Sequence, residues 1–220
     1  IEADSLDGQL VTDANDINNA DPVRVDAQVA TITGASTNAN SFEVWAEEIT
    51  FTGGTEDDDI TVYGTAEAPD GGNDGALLDL TMDLGDNDVR LGGNAANGVT
   101  ALDGSVIKGD VGTDTIIVDA SSDVRAAEIT DIDEFTVNAG ILELTLSQAA
   151  GTSIDGNSSV GNVTISGSND DNQIVAADVE SPKNLDIGSV NTLTFDFDVS
   201  DGDGDAPTLE LDSDSSLTNI

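Results

Sequence analysis

Histidine and cysteine are both absent from this chain of 220 residues. Their absence removes the usual transition-metal sites, Ser-His and Cys-His nucleophiles, and any disulfide framework. Cations are almost as scarce: Arg24, Arg90, Lys108, Arg125 and Lys183 are the 5 basic residues against 45 acidic ones, for a formal net charge of −40. So few and so dispersed, they make no cationic footprint for nucleic acid. An anionic membrane surface repels such a protein. No apolar run approaches the 18 or so residues of a membrane span, so no membrane insertion is expected. Aromatic residues make up 3% of the chain, with one Trp and one Tyr.

What is present is carboxylate in a particular form. Asp outnumbers Glu by 34 to 11, and much of the Asp stands beside Gly and Asn in turn-like clusters. At this charge the compact state repels itself unless molar salt or bound divalent ions neutralise it. Salt adaptation asks for surface carboxylate of either length, whereas calcium turns favour the short Asp side chain next to Gly and Asn. Calcium is therefore the expected cofactor, with a salt-adapted, halophilic surface protein lacking specific metal sites as the alternative. The length suffices to bury roughly 70% of the unfolded surface in one or two domains. The chain begins at Ile1 without a signal-peptide pattern and is expected to be a processed product or a segment of something longer.

Helix signals are nearly absent, and short β-branched runs bounded by Gly, Asn, Asp and Ser read as strands. They are expected at 29–33, 42–51, 60–63, 77–84, 89–91, 106–107, 116–118, 134–137, 142–146, 163–165, 173–175, 193–199 and 208–211. Residues 142–146 and 194–199 alternate apolar and polar with period two, as half-buried strands do. The fold class is all-β, with a right-handed parallel β-solenoid or β-roll as the expected architecture. A β-sandwich or tandem Ig-like modules is the alternative, especially after about residue 180. The expected division is an N-terminal β segment over 1–50, a solenoid over 51–148, and further β rungs or a small β module over 149–220.

Three segments approach the calcium β-roll nonapeptide Gly-Gly-x-Gly-x-Asp-x-U-x, in which glycines turn carbonyls inward, Asp supplies a hard oxygen and U plugs the core. Residues 53–61 match at Gly53, Gly54, Asp58 and Ile60, and residues 109–117 match at Gly109, Gly112, Asp114 and Ile116. Between them Gly85, Asn87 and Val89 fit the same frame. With their acidic neighbours, these give Asp58, Asp59, Asn87, Asp88, Asp110 and Asp114 as candidate calcium ligands. A separate cluster, Asp201, Asp203 and Asp205, follows an alternating strand. Ala206 and Asp212 stand where an EF-hand has Gly and Glu, so an inter-strand calcium turn is expected there instead.

The segments 52–62, 83–89 and 109–118, followed by Ile129-Thr-Asp-Ile-Asp-Glu-Phe-Thr-Val-Asn-Ala, resemble the calcium-dependent S-layer proteins of Gram-negative bacteria that carry RTX-like turns. The likeness covers about residues 50–150; Glu56 and Asp110 replace Gly, and Asn87 replaces Asp. The stretch 197–205 resembles repeat linkers of large secreted RTX adhesins. The resemblance implies export by type I secretion, calcium binding outside the cell, and assembly into lattices or fibres.

Other constellations weigh little. Carboxylate pairs such as Glu47 and Glu48 carry almost no catalytic information in so acidic a chain. Arg90, Lys108 and Arg125 are expected to pair with nearby Asp, not to act as a lyase base. Trp45 is expected to anchor a core or an interface, with sugar stacking as its other use. No Thr-x-Thr ladder of the ice-binding kind is expected in register. The expected function is non-enzymatic: an extracellular, cell-surface structural protein that self-assembles with calcium into an S-layer, sheath or filament. Its partners are other copies of itself and cell-surface polysaccharide. The competing function is a segment of a calcium-rigidified adhesin that binds a cell surface or glycan.

Overall fold

The computed structural model describes residues 2–13, 23–34, 39–63, 75–92, 98–149, 152–156, 161–167, 186–187 and 192–197. These residues are a stack of parallel strands in three columns. The first column begins with the N-terminal half of β2 (Val23–Thr33) and continues through β3 (Asn40–Trp45), β5 (Asp58–Tyr63), β7 (Asp88–Leu91), β9 (Thr115–Val118), β12 (Glu134–Val137), β14 (Ser153–Gly156) and β16 (Asp186–Ile187). The second runs from the C-terminal half of β2 through β4 (Glu48–Thr52), β6 (Leu77–Thr81), β8 (Val106–Lys108) and β11 (Glu128–Thr130). The third opens with single bridges from Ala76 to Ala101 and from Thr100 to Asp123. It continues as β10 (Ser122–Asp123), β13 (Gly140–Thr145), β15 (Gly161–Gly167) and β17 (Thr192–Phe197). Ahead of these, β1 (Glu2–Asp13) lies parallel on β2 with two register shifts.

The parallel β-solenoid expected from the sequence is the fold. A sandwich would need antiparallel sheets, but the described ladders are parallel, including those that carry β15 and β17. The pairing continues across residues 50 and 148. No fixed period is visible in the sequence because coil length varies. Equivalent residues Asn40, Asp58, Asn87, Asp114 and Asp133 are separated by 18, 29, 27 and 19 residues. The long coils carry their extra residues between β5 and β6 and between β7 and β8.

Alternation within each strand sends every second side chain inward, and the in-register stacking turns these into continuous apolar columns. One column is Val23, Phe42, Ile60, Val89, Ile116, Phe135 and Ile154; another is Val25, Val44, Val62, Leu91, Val118 and Val137. All of these are buried, and each large side chain contributes roughly 1.5–3 kcal/mol by leaving water. Phe42 and Phe51 meet edge to face at 5.7 Å across the interior, the arrangement ring quadrupoles favour.

Several boundaries differ from the sequence expectation. The run 42–51 is two strands, because Glu47 and Glu48 both point outward and break the alternation at a corner. Strand β6 ends at Thr81, and the chain then turns through 82–87. Residues Leu146–Ala149 form a helical turn, not the end of a strand. There the buried Gln148 donates to the carbonyls of Val124 and Ala127, both at 2.7 Å. A Thr-x-Thr ladder does exist in register, contrary to expectation: Thr31 and Thr33 stand over Thr50 and Thr52. Asp79 and then Val106 and Lys108 interrupt it on the following rungs. The strands expected at 173–175 and 208–211 lie outside the described residues. Among the described residues no helix is long and apolar enough to cross a membrane.

Candidate functional site

The three nonapeptide-like segments form turns at 53–58, 82–87 and 109–114 that stack on one edge of the solenoid, at the entry to the first column. Each turn opens with a backbone bond to the next coil: Gly53 to the Thr81 carbonyl at 2.9 Å, Met82 to Lys108 at 2.8 Å, and Gly109 to Thr130 at 3.0 Å. The glycines inside the turns are required by this stacking. Gly85 and Gly112 have φ of +116° and +142°, a region side chains avoid. A Cβ on Gly112 would lie 1.9 Å from the carbonyl oxygen of Gly85. Glu56 occupies the same place one coil earlier, next to Gly85.

Asp58, Asn87 and Asp114, the residues in the ligand slot of the motif, are 1%, 1% and 0% exposed. They form an internal polar ladder. Asp58 Oδ1 accepts from the Asn40 backbone N–H at 2.9 Å and from Asn40 Nδ2 at 2.6 Å, and its Oδ2 accepts from Gly54 N–H at 2.6 Å. The Asp58 N–H donates to Asn87 Oδ1 at 2.8 Å. Asn87 Nδ2 in turn donates to Asp114 Oδ1 at 2.8 Å and to the carbonyls of Asp83 and Gly85 at 3.2 and 3.1 Å. Asp114 Oδ2 accepts from Asp110 N–H, and the Asp114 N–H donates to Asp133 Oδ2, both at 3.0 Å. Buried carboxylates survive when N–H donors satisfy them, and here the donors come from the protein. A parallel rim ladder lies one residue earlier, where Asp57 Oδ1 accepts from Asp86 N–H at 3.0 Å and Asp86 Oδ1 accepts from Thr113 N–H at 2.8 Å.

The other candidate ligands sit elsewhere. Asp59 and Asp88 are in-register partners on the outward face of β5 and β7, so their carboxylates share one cross-strand position. Burial raises the pKa of Asp59, and the Asp88 charge raises it further, with Arg90 opposing. Burial also raises that of Asp88, with Arg90 lowering it and Glu134 raising it. Two carboxylates on neighbouring rungs destabilise the ionised pair. Asp110 is exposed on the turn, where its backbone, not its carboxylate, joins the ladder. Asp201, Asp203 and Asp205 lie outside the described residues. The structure thus brings Asp58, Asn87 and Asp114 into one line, Asp59 and Asp88 into one pair, and leaves Asp110 apart. Among the described residues no group of three or more acidic side chains is placed to hold a metal ion. The inner-ladder carboxylates accept hydrogen bonds from the chain's own N–H groups, whereas the Asp59–Asp88 pair stands on the outward face.

Sequence reasoning missed Asn40 and Asp133, the outer members of the ladder. The signal lay in spacing, 18 residues before Asp58 and 19 after Asp114, and not in any local motif. Arg90 and Arg125 pair with Asp as expected, whereas among the described residues Lys108 forms no ion pair. Arg90 meets Asp119 at 2.5 Å, and Arg125 meets Asp123 and Glu143, both at 2.7 Å. At Asp123 burial pushes the pKa up, but the hydrogen bonds and charge of Arg125 outweigh it and hold the carboxyl below its ordinary value. Trp45 is not a core residue: it stands on the outward face of β3, half-buried, stacked on Tyr63 with ring centroids 4.1 Å apart and planes 6° apart.

No family model matches the chain, and no curated protein or solved structure matches it either.

Proposed function

We propose that this is a non-catalytic structural protein of the cell exterior, whose rigid parallel stack assembles with copies of itself into a layer, sheath or filament. Calcium in the surrounding medium is the neutralising partner. The observation that carries the reading is the Asp59–Asp88 pair, two outward carboxylates held in register at raised pKa. In a chain of net charge −40 such a pair adds to the repulsion along and between stacks. A divalent ion shared by neighbouring carboxylates relieves that repulsion and couples ion binding to folding and association. Export by type I secretion, expected from the family resemblance, fits a chain that stays loose in a low-calcium interior and tightens outside. The experiment is negative-stain microscopy across a calcium series: ordered assemblies at millimolar calcium, the range of extracellular modules, support the reading, and dispersed particles throughout oppose it.

A second reading is salt adaptation without specific metal sites. It is favoured by the inner ladder, where the carboxylates of Asp58 and Asp114 take their hydrogen bonds from Asn40, Gly54, Asn87 and Asp110. Under that reading molar KCl replaces calcium fully.

A further inference from the structure

We propose that the stacked rings of Trp45 and Tyr63 are a binding site for a neutral carbohydrate, taken as a pyranose ring or a short run of them. The chain has a single Trp and a single Tyr, and the fold sets both on adjacent rungs of one outward column as in-register partners. Their rings lie parallel at 4.1 Å. Neither serves the interior, whose large aromatic side chains among the described residues are Phe42, Phe51 and Phe135. Both are only partly buried, so part of each ring is kept where water reaches it.

The polar groups around the rings suit a hydroxylated ligand. On one flank Arg24 pairs with Glu43 at 2.7 Å, and the Glu43 carboxylate, after partial burial, helps raise the pKa of the Tyr63 hydroxyl. On the other flank the column continues through Gly92, Asp119 and Asn138, each fixed by a backbone bond to the preceding rung. Gly92, next in the column after Tyr63, brings no side chain of its own. Asp119 accepts from Arg90 and from Asn138 Nδ2 at 2.9 Å. Two of the chain's 5 cations therefore stand beside these rings, each paired with a carboxylate. With exposed Asp26 in register beside Trp45, the groups around the rings carry a single net negative charge on a protein of net charge −40. Sugar C–H groups meet the negative face of an aromatic ring, while the rim hydroxyls meet carboxylate acceptors and guanidinium donors. The surrounding charge disfavours an anionic polysaccharide. The inference does not depend on calcium.

Trp45 is its own probe, since no other Trp contributes to the emission. The intact chain is titrated with cellohexaose, mannohexaose and chitohexaose, once in chelator and once in calcium, with alginate as the anionic control. The expected result is a saturable change in emission with at least one neutral hexasaccharide in both media and none with alginate. Tyr63→Ala should weaken binding by about tenfold or more, roughly 1.4 kcal/mol, with the circular dichroism unchanged. Asp119→Asn, which leaves both rings in place, should weaken it as well and keeps the test open if Tyr63→Ala does not fold. The proposal is overturned if no neutral oligosaccharide gives a saturable change, or if affinity survives both substitutions. It is equally overturned if emission follows protein concentration alone, which would make the rings a contact between copies.

Discussion

Asn87 donates its side-chain amide to the buried carboxylate of Asp114 at 2.8 Å, and its own side-chain carbonyl accepts the backbone N–H of Asp58 at 2.8 Å. A neutral amide carries both a donor and an acceptor and so serves these two partners without a charge. The place where the motif has Asn instead of Asp is thus fixed by hydrogen-bond wiring between coils. At the residue four before, Asp58 and Asp114 accept from the N–H groups of Gly54 and Asp110, whereas Asn87 donates to the carbonyl of Asp83.

Asn87→Asp should therefore be far worse than its small size change implies. A carboxylate there faces two carbonyls and the Asp114 carboxylate, and an uncompensated buried charge costs about 3–5 kcal/mol. Urea denaturation should show a large fall in midpoint at unchanged slope, and a wild-type midpoint would remove the ladder from the account.

Asp58→Asn and Asp114→Asn test whether the ladder is a metal site. Each puts an amide donor against a backbone N–H, at Gly54 or Asp110, and leaving buried donors unpaired costs about 1–3 kcal/mol. Stability should fall equally in chelator and in calcium. A calcium midpoint that rises with either substitution would make these carboxylates ligands.

Asp59→Asn and Asp88→Asn should act in the opposite sense. Their folded pKa values lie above the ordinary 3.8, so the folded state binds protons more readily than the unfolded chain. Stability then falls as pH rises from the unfolded value through the raised folded one, and the penalty is complete above it. Either variant should melt higher than wild type at neutral pH and low salt, with the difference shrinking in acid and in calcium. Asp123 works the other way: Arg125 lowers its pKa, so its contribution is present above 3.8 and lost as pH falls. Melting temperatures from pH 3 to 7 check both signs.

Gly112→Ala and Gly104→Ala separate stacking from backbone strain. Both glycines have positive φ, +142° and +89°, but a Cβ on Gly112 would sit 1.9 Å from the Gly85 oxygen while one on Gly104 finds nothing nearer than 3.9 Å. Gly104→Ala should cost about 1–2 kcal/mol from conformation alone, and Gly112→Ala clearly more. Equal losses would mean that the turns do not pack as closely as described.

The parallel stack was legible because β-branched runs and Gly/Asn/Asp turns recur through the chain, and because the inward residues of each rung are apolar. The coil length was not, since the two long coils hide the register that links Asn40 to Asp133. Residues 142–146 read as one strand because helical turns this short leave no periodicity of their own. At the site, the turn motif located residues that the fold does bring into one line, Asp58, Asn87 and Asp114. Gly-x-Asp in a solenoid is dictated first by the close approach of Gly112 to Gly85 and by the need to satisfy buried N–H groups, and those demands look the same in sequence as a metal loop. The Trp45–Tyr63 stack was invisible because partners 18 residues apart become neighbours only once the register is known.

The most direct test of the central claim is a calcium titration from a chelated, low-salt start, followed by circular dichroism, with molar KCl as the control. Calcium-driven neutralisation predicts that the β signal and thermal stability rise at millimolar calcium and not in KCl with chelator present. Full folding in KCl alone would contradict it and make the charge of −40 an adaptation to salt.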